Sequence, residues 1–184
     1  MNHYINNINL YPPYPEDNKM IIFGMGCFWG AERLFWEIEG VYVTLVGYSG
    51  GSKENPSYAE VCSGITNHAE VVLVVYNPKI ISLEDLLKVF WENHDPTQYM
   101  RQGNDIGSQY RSIIYTYNNE EYDLCNKSKS KYQNILSKVG YGEIKTEIEH
   151  HKNFYIAEEY HQQYLAKIPN GYCNHGFCQA EYKK

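Results

Sequence analysis

The sequence predicts an α+β protein built as an open plait, and three observations carry that prediction. Apolar runs of strand length alternate with stretches whose apolar residues recur at helical spacing. The order of the two reads β-α-β and then β-α-β. At 184 residues the chain has room for one domain with a substantial core and little for a second.

Residues 1–18 are polar and Pro-interrupted, and are expected to form an arm or lead-in ahead of a single domain over 19–184. Met20 to Phe23 is a short apolar run ending in Gly24 and Gly26, which reads as a strand entering a tight turn. Ala31, Leu34, Phe35 and Ile38 follow at helical spacing, and Gly40 stands where a helix would stop. Val41, Val43 and Leu45 alternate as a strand should. Ala69 to Tyr76 is almost continuously apolar and β-branched, as a strand covered on both faces would be. Ser82 with Asp85 forms a capping box ahead of the stripe Leu83, Leu86, Leu87 and Phe90. Ser112 to Tyr117 reads as a strand, and a longer helix follows with Cys125, Tyr132, Ile135 and Val139 on one face. Ile144, Thr146 and Ile148 alternate as an edge strand, and Ala157, Tyr160, His161 and Tyr164 suggest a last helix. Pro169 and Gly171 end regular structure and leave a loose tail, residues 166–184. This is a ferredoxin-like split βαβ core with added helices and a long irregular C-terminal tail. Between Asn93 and Arg111 there is no periodicity, and so long an irregular segment in a compact domain is usually functional.

A net charge of −6 argues against nucleic acid, which needs clustered Lys and Arg. No apolar stretch approaches the roughly 20 residues that cross a bilayer, and the N-terminus resembles neither a secretion signal nor a transit peptide. A cytoplasmic monomer is expected. The five cysteines are an odd number without the spacing of a secreted disulfide framework. In a reducing compartment they stay thiols unless they turn over.

The informative stretch is Gly26-Cys27-Phe28-Trp29-Gly30, after a strand and opening a helix. Unpaired N–H groups at a helix start favour negative charge, so a thiolate at Cys27 is expected there, and the thiolate is the reactive form. The flanking glycines allow a sharp turn and close approach of a substrate. Phe28 and Trp29 are either core or the walls of an apolar pocket for a small group. Glu70 opens the most apolar strand; it is either an ordinary strand-end carboxylate or a partly buried acid able to donate a proton near neutral pH. Tyr58 and Tyr110 lie in irregular segments and can donate from their phenols. Asp105 could orient a water, and His94 reads as a helix-end histidine.

Taken together, GCFWG, GYSGG, YAEVCSG, HAE and the run from DPTQ to RQGNDIGSQYRS resemble the A-type peptide methionine sulfoxide reductases, in order, from about Met20 to Cys173. The resemblance implies thiol-dependent reduction of the S epimer of methionine sulfoxide, free or in proteins, hence protein repair under oxidative stress. It implies Cys27 as nucleophile, Phe28 and Trp29 as methyl pocket, Glu70 as acid, Tyr58 and Tyr110 as donors to the sulfoxide oxygen, and Asp105 as an organiser of substrate and water. It implies that Cys27 becomes a sulfenic acid, that Cys173 closes a disulfide on it, and that Cys178 hands that disulfide to thioredoxin or an equivalent dithiol. Cys178 follows Cys173 more closely than the family's spacing suggests. Cys62 looks structural and Cys125 a bystander of the core. No metal or organic cofactor is expected. The rivals are a metal module on Cys173, His175, Cys178 and His161, a cysteine hydrolase with His68 as base, and a module that binds oxidised methionine without turning it over.

Overall fold

The computed structural model describes residues 1–176 and 180–183. Its elements are β1 (Lys19–Met25), α1 (Phe28–Arg33), β2 (Val41–Ser49), α2 (Tyr58–Cys62), β3 (Ala69–Tyr76), α3 (Leu83–Glu92), the hairpin β4 (Arg101–Gln102) and β5 (Asp105–Ile106), β6 (Ser112–Thr116), α4 (Asn119–Lys138), β7 (Glu147–His150), β8 (Tyr155–Ile156) and α5 (Tyr164–Lys167). The main sheet has the order β7-β6-β1-β3-β2-β8. Strand β1 runs antiparallel between β3 and β6, and β2 runs antiparallel to β3. Each β-α-β crossover therefore skips one strand, which is the split arrangement the element order predicts. Strand β7 adds parallel to β6 at one edge, and β8 antiparallel to β2 at the other.

Strand side chains alternate between faces, so each central strand feeds two cores. Ile21, Phe23 and Met25 of β1 and Val72, Val74 and Tyr76 of β3 point to the helices, where Phe23 stacks on Phe35 and Phe90 with centroids 5.2 Å away in both cases. Ile22, Val71, Leu73 and Val75 point to the opposite face. That face explains why every residue of β3 is buried. It is covered by the segment expected to be a lead-in: Leu10 is fully buried on it, and Tyr14 donates its hydroxyl to the Leu10 carbonyl at 2.7 Å.

The arm is also tied down by a buried polar knot. Glu32 on α1 accepts from Thr44 Oγ1 at 2.9 Å, from Gln163 N at 2.8 Å and from Gln163 Nε2 at 2.7 Å. Tyr4 N donates to Gln163 Oε1 at 3.0 Å, and His3 shares a hydrogen bond with Thr44. Burial pushes the Glu32 carboxyl up to about 7 despite these donors. A buried carboxyl lacking them would cost several kcal/mol.

Two expectations about the C-terminal part need correction. Residues from Glu159 turn individually, with Gln163 left-handed (φ 49°), and only Tyr164–Lys167 is helical. The physical reason is that Gln162 and Gln163 point inward. Gln162 accepts from Val46 N and donates to the carbonyls of Val46 and Ala157, completing the β2 edge beside the short β8. The described residues of the tail are not loose either. Ala180 and Tyr182 are buried in the main core, with the Tyr182 amide donating to Glu92 Oε1 at 2.6 Å and Tyr132 donating to the Ala180 carbonyl at 2.8 Å.

Candidate active site

Strand β1 delivers the chain to Gly26, whose positive φ of 97° makes the turn, and Cys27 becomes the N-cap of α1. Glycine at position 26 is required twice over, since a Cβ there would also meet Gln102 at 2.8 Å. From β3, Glu70 reaches the same helix start and accepts the Phe28 amide N–H at 3.0 Å. Burial raises the Glu70 carboxyl to about 8, opposed by the Phe28 N–H and assisted by the negative charge of Asp105. Of the two readings left open for Glu70, the buried acid is the one present, and at neutral pH it carries its proton.

Cys27 departs from expectation. Its side chain is buried, and burial first, then the charge on Glu70, push its thiol up; the amides of Trp29 and Gly30 pull it back only in part. A six-residue helix has a weak end, and desolvation outweighs it. In the free protein Cys27 is a covered thiol rather than an exposed thiolate.

The phenols of Tyr58 and Tyr110 join this centre. Tyr58 opens α2 and Tyr110 ends a short 3-10 turn, so neither is irregular. Burial pushes both phenols up, and Glu70 raises both further; Asp105 and Cys27 also act on Tyr110. Both therefore keep their hydrogens as donors. Cys62 is exposed and shares a hydrogen bond with the Tyr58 hydroxyl. Cys125 is fully buried in the core.

The two expected pocket rings separate. Phe28 is 1% exposed and packs on Tyr48 and His161, whereas Trp29 keeps an open edge and stacks on Tyr164 with centroids 3.9 Å apart. Trp29 is held by its indole N–H, which donates to His161 Nδ1 at 2.9 Å. His161 thus carries its hydrogen on Nε2 and sits among Phe28, Trp29 and Tyr58. Glu158 ties the group together, accepting from Tyr48 Oη at 2.8 Å and from the Tyr58 amide at 2.9 Å. No local pattern announces this role for His161 or Glu158, which are 100 or more residues from these partners.

Asp105 lies at the site, where its carboxylate is engaged by the tail. The tail occupies it: Tyr172 donates to Oδ1 at 3.0 Å and Asn174 Nδ2 to Oδ2 at 2.8 Å. Asn174 also donates to the Gln102 carbonyl at 3.1 Å, and His175 Nε2 to the Met25 carbonyl at 2.6 Å. Burial and then Asp105 raise the Tyr172 phenol to about 12, with a further contribution from Cys27. The tail therefore lies across the helix start that carries Cys27. Cys173 is a free thiol receiving the Arg33 Nη2 hydrogen at 3.1 Å. Cys178 lies outside the described residues.

Gly30 also makes room for the tail. A Cβ at that position would stand 2.3 Å from His175 Nδ1 and 2.8 Å from Cys173 Sγ. The bare face of Gly30 is the seat of the tail. Gly30→Ala is expected to leave α1 intact, alanine being a better helix former, while displacing the tail. A single-turnover assay should then show near-normal release of the first product and disulfide formation to Cys173 slowed at least about tenfold, the effect of losing roughly 1.4 kcal/mol of docking.

His68 is not available as a base for Cys27. Its Nε2 is bonded to the Lys53 carbonyl at 2.7 Å and its Nδ1 accepts from Gly51 N at 3.0 Å. His94, at the end of α3, is buried between the Phe90 carbonyl and Ser112, as a helix-end histidine should be. Among the described residues no group of three or more His, Cys, Asp or Glu is arranged to hold a metal ion, and no helix is long and apolar enough to cross a membrane.

Residues 19–184 match the model of the family described as peptide methionine sulfoxide reductase. The peptide methionine sulfoxide reductase MsrA of Brucella anthropi is 60% identical over 171 residues, covering 93% of this chain and 78% of that protein. The structure of methionine sulfoxide reductase A of Corynebacterium diphtheriae superposes with a TM-score of 0.87 at 43% identity, covering 93% of this chain and 83% of that one. Mxr1 from Saccharomyces cerevisiae, solved in complex with Trx2, matches with a TM-score of 0.61 at 27% identity, over 91% of this chain and 95% of that one.

Proposed function

The chain belongs to the peptide methionine sulfoxide reductase family and is a reductase of methionine sulfoxide, and from that premise we propose how its own residues divide the work. Cys27 is the nucleophile, Glu70 the proton donor, and Tyr58 and Tyr110 hydrogen-bond the sulfoxide oxygen. Trp29 meets the substrate methyl with Phe28 packed behind it. Asp105 organises substrate and water once Tyr172 and Asn174 release it. The substrate is the S epimer, free or within proteins, and the role is protein repair in a reducing compartment, the cytoplasm.

The observation that carries this reading is Glu70: an acid buried against the first turn of α1, raised to about 8, and close enough to Cys27, Tyr58 and Tyr110 to raise all three electrostatically. A sulfoxide oxygen is a poor leaving group until it is protonated. Glu70 gives it a proton while the phenols polarise the bond, and the substrate sulfur becomes electrophilic. Cys27 sulfur attacks, its own proton passing to the Glu70 carboxylate. The oxygen ends on Cys27 as a sulfenic acid, the substrate sulfur is reduced to the thioether, and methionine leaves. A covered, protonated thiol suits this exchange, because it is reactive only when its proton has somewhere to go.

Cys173 then condenses with the sulfenic acid, water departs, and Cys178 can carry the disulfide to thioredoxin or an equivalent dithiol by thiol exchange. The complex of Mxr1 with Trx2 supports a thioredoxin as the partner. No resident cofactor enters these steps.

The test is Glu70→Gln, which keeps an acceptor for the Phe28 N–H and removes the proton. The methionine burst at neutral pH is expected to slow about 10² to 10⁴-fold with the fold intact. In the unsubstituted protein the burst rate should fall as pH rises through about 8, since the raised carboxyl loses its proton there, and that alkaline limb should vanish in Glu70→Gln. A variant with near-normal rates and an unchanged pH profile would remove Glu70 from the mechanism.

A further inference from the structure

The tail holds a group that the reaction above does not use. His175 is packed over the start of α1, and its Nδ1 is buried with no hydrogen-bond partner among the described residues. Its tautomer is fixed by its other nitrogen. A carbonyl can only accept, so the 2.6 Å contact with the Met25 carbonyl places the hydrogen on Nε2 and leaves Nδ1 a bare lone pair. An unsatisfied buried acceptor is costly and calls for an explanation. That lone pair and Cys173 Sγ flank the same point, the place where a Gly30 Cβ would be, at 2.3 Å and 2.8 Å from it, so the two atoms are at most 5.1 Å apart and no hydrogen bond joins them before the reaction.

We propose that His175 is the base that takes the Cys173 thiol proton as Cys173 attacks the Cys27 sulfenic acid, with Arg33 holding the charge on the attacking sulfur. The proposal rests on the reading of Cys173 as the resolving cysteine. In the step, a bond forms between Cys173 Sγ and Cys27 Sγ and the Cys27 S–O bond breaks. The proton from Cys173 goes to His175 Nδ1 and from there to the departing hydroxide, which leaves as water. The Cys27 sulfur is reduced as the Cys173 sulfur is oxidised, and no outside oxidant or reductant enters.

The surroundings suit a neutral base. Burial lowers the His175 pKa, and Arg33 on α1 lowers it further. The Met25 carbonyl and Asp105 on β5 oppose them. His94 at the end of α3 also faces it and is itself held neutral by burial. The same Arg33 donates to Cys173 Sγ at 3.1 Å, so one guanidinium keeps the base unprotonated and receives the negative sulfur.

The experiment uses the full chain, oxidised once with free methionine sulfoxide in the absence of reductant. Methionine release and the Cys27–Cys173 disulfide are followed separately by quench and mass spectrometry across about pH 6 to 9. His175→Gln keeps an N–H for the Met25 carbonyl and lacks the base. Its methionine burst should match the unsubstituted protein, which also shows that it folds. Disulfide closure should be about 10²-fold slower at neutral pH and should climb with pH, where the unsubstituted protein is flat. Added imidazole should restore closure in His175→Ala. Closure at the normal rate in His175→Gln, or slow closure that neither follows pH nor responds to imidazole, would overturn the proposal. Cys173→Ala is measured in parallel: a chain that still recycles at full rate would sink the resolving role of Cys173 itself, whatever His175 does.

Discussion

Cys27→Ser is expected to abolish enzymatic methionine sulfoxide reduction, leaving no burst and only the background rate of thiol in solution. The substitution changes one atom in a side chain that is buried and makes no side-chain cap bond, so the fold should hold. What disappears is the sulfur that accepts oxygen. A serine hydroxyl is a weaker nucleophile and has no sulfenic state to occupy, so neither half of the cycle can begin. Residual rates should lie at least about 10³-fold down, at the level of free thiol in solution. Each of the other described thiols is unsuited to replace it. Cys125 is sealed in the core, Cys62 is exposed on α2, and Cys173 is held by Arg33. A Cys27→Ser protein that still releases one methionine per chain would move the chemistry to another sulfur.

Cys173→Ala should separate the two halves of the cycle. The oxygen transfer uses Cys27, Glu70, Tyr58 and Tyr110, none of which needs the Cys173 sulfur. One methionine per chain is expected at the normal rate. Turnover driven by thioredoxin should then fall at least about 10²-fold, because the sulfenic acid has lost the thiol seated beside it. Removing the tail sulfur also deprives Arg33 of its acceptor, without leaving a buried charge unpaired, since Arg33 is exposed. Full recycling in Cys173→Ala, or a Cys27–Cys62 disulfide appearing in its place, would contradict the assignment.

How far the sequence could be read follows from which interactions are local. The strand and helix patterns gave the split βαβ order because hydrophobic periodicity is set by neighbours along the chain. Ser82 and Asp85 do form the capping box expected of them, and β3 is buried throughout. The motifs around Cys27 and Glu70 were legible for the same reason: strand, turn and helix start lie within a few residues. The ionisation of Cys27 is not legible in its local motif because it depends on burial and on Glu70, forty-three residues away, more than on its own helix. Residues 1–18 are expected to be an arm or lead-in because Ile5, Ile8 and Leu10 stand between Asn and Pro residues without a period, and the docking site of Ile8 and Leu10 is the far face of the sheet. Pro169 and Gly171 break the pattern and so predict a loose tail, yet Asn174 and His175 are held by Asp105 and Met25. Those contacts join residues too far apart in sequence for spacing to reveal.

The central claim is that the sulfoxide oxygen passes to Cys27. It is tested most directly by trapping. A chain carrying Cys173→Ala and Cys178→Ala is treated with methionine sulfoxide and dimedone, and the adduct is located by peptide mass spectrometry. The account predicts one dimedone adduct on Cys27 for each methionine released, and a greatly slowed build-up when Glu70→Gln is added. Methionine released with Cys27 unmodified, or an adduct on Cys62 instead, would contradict it.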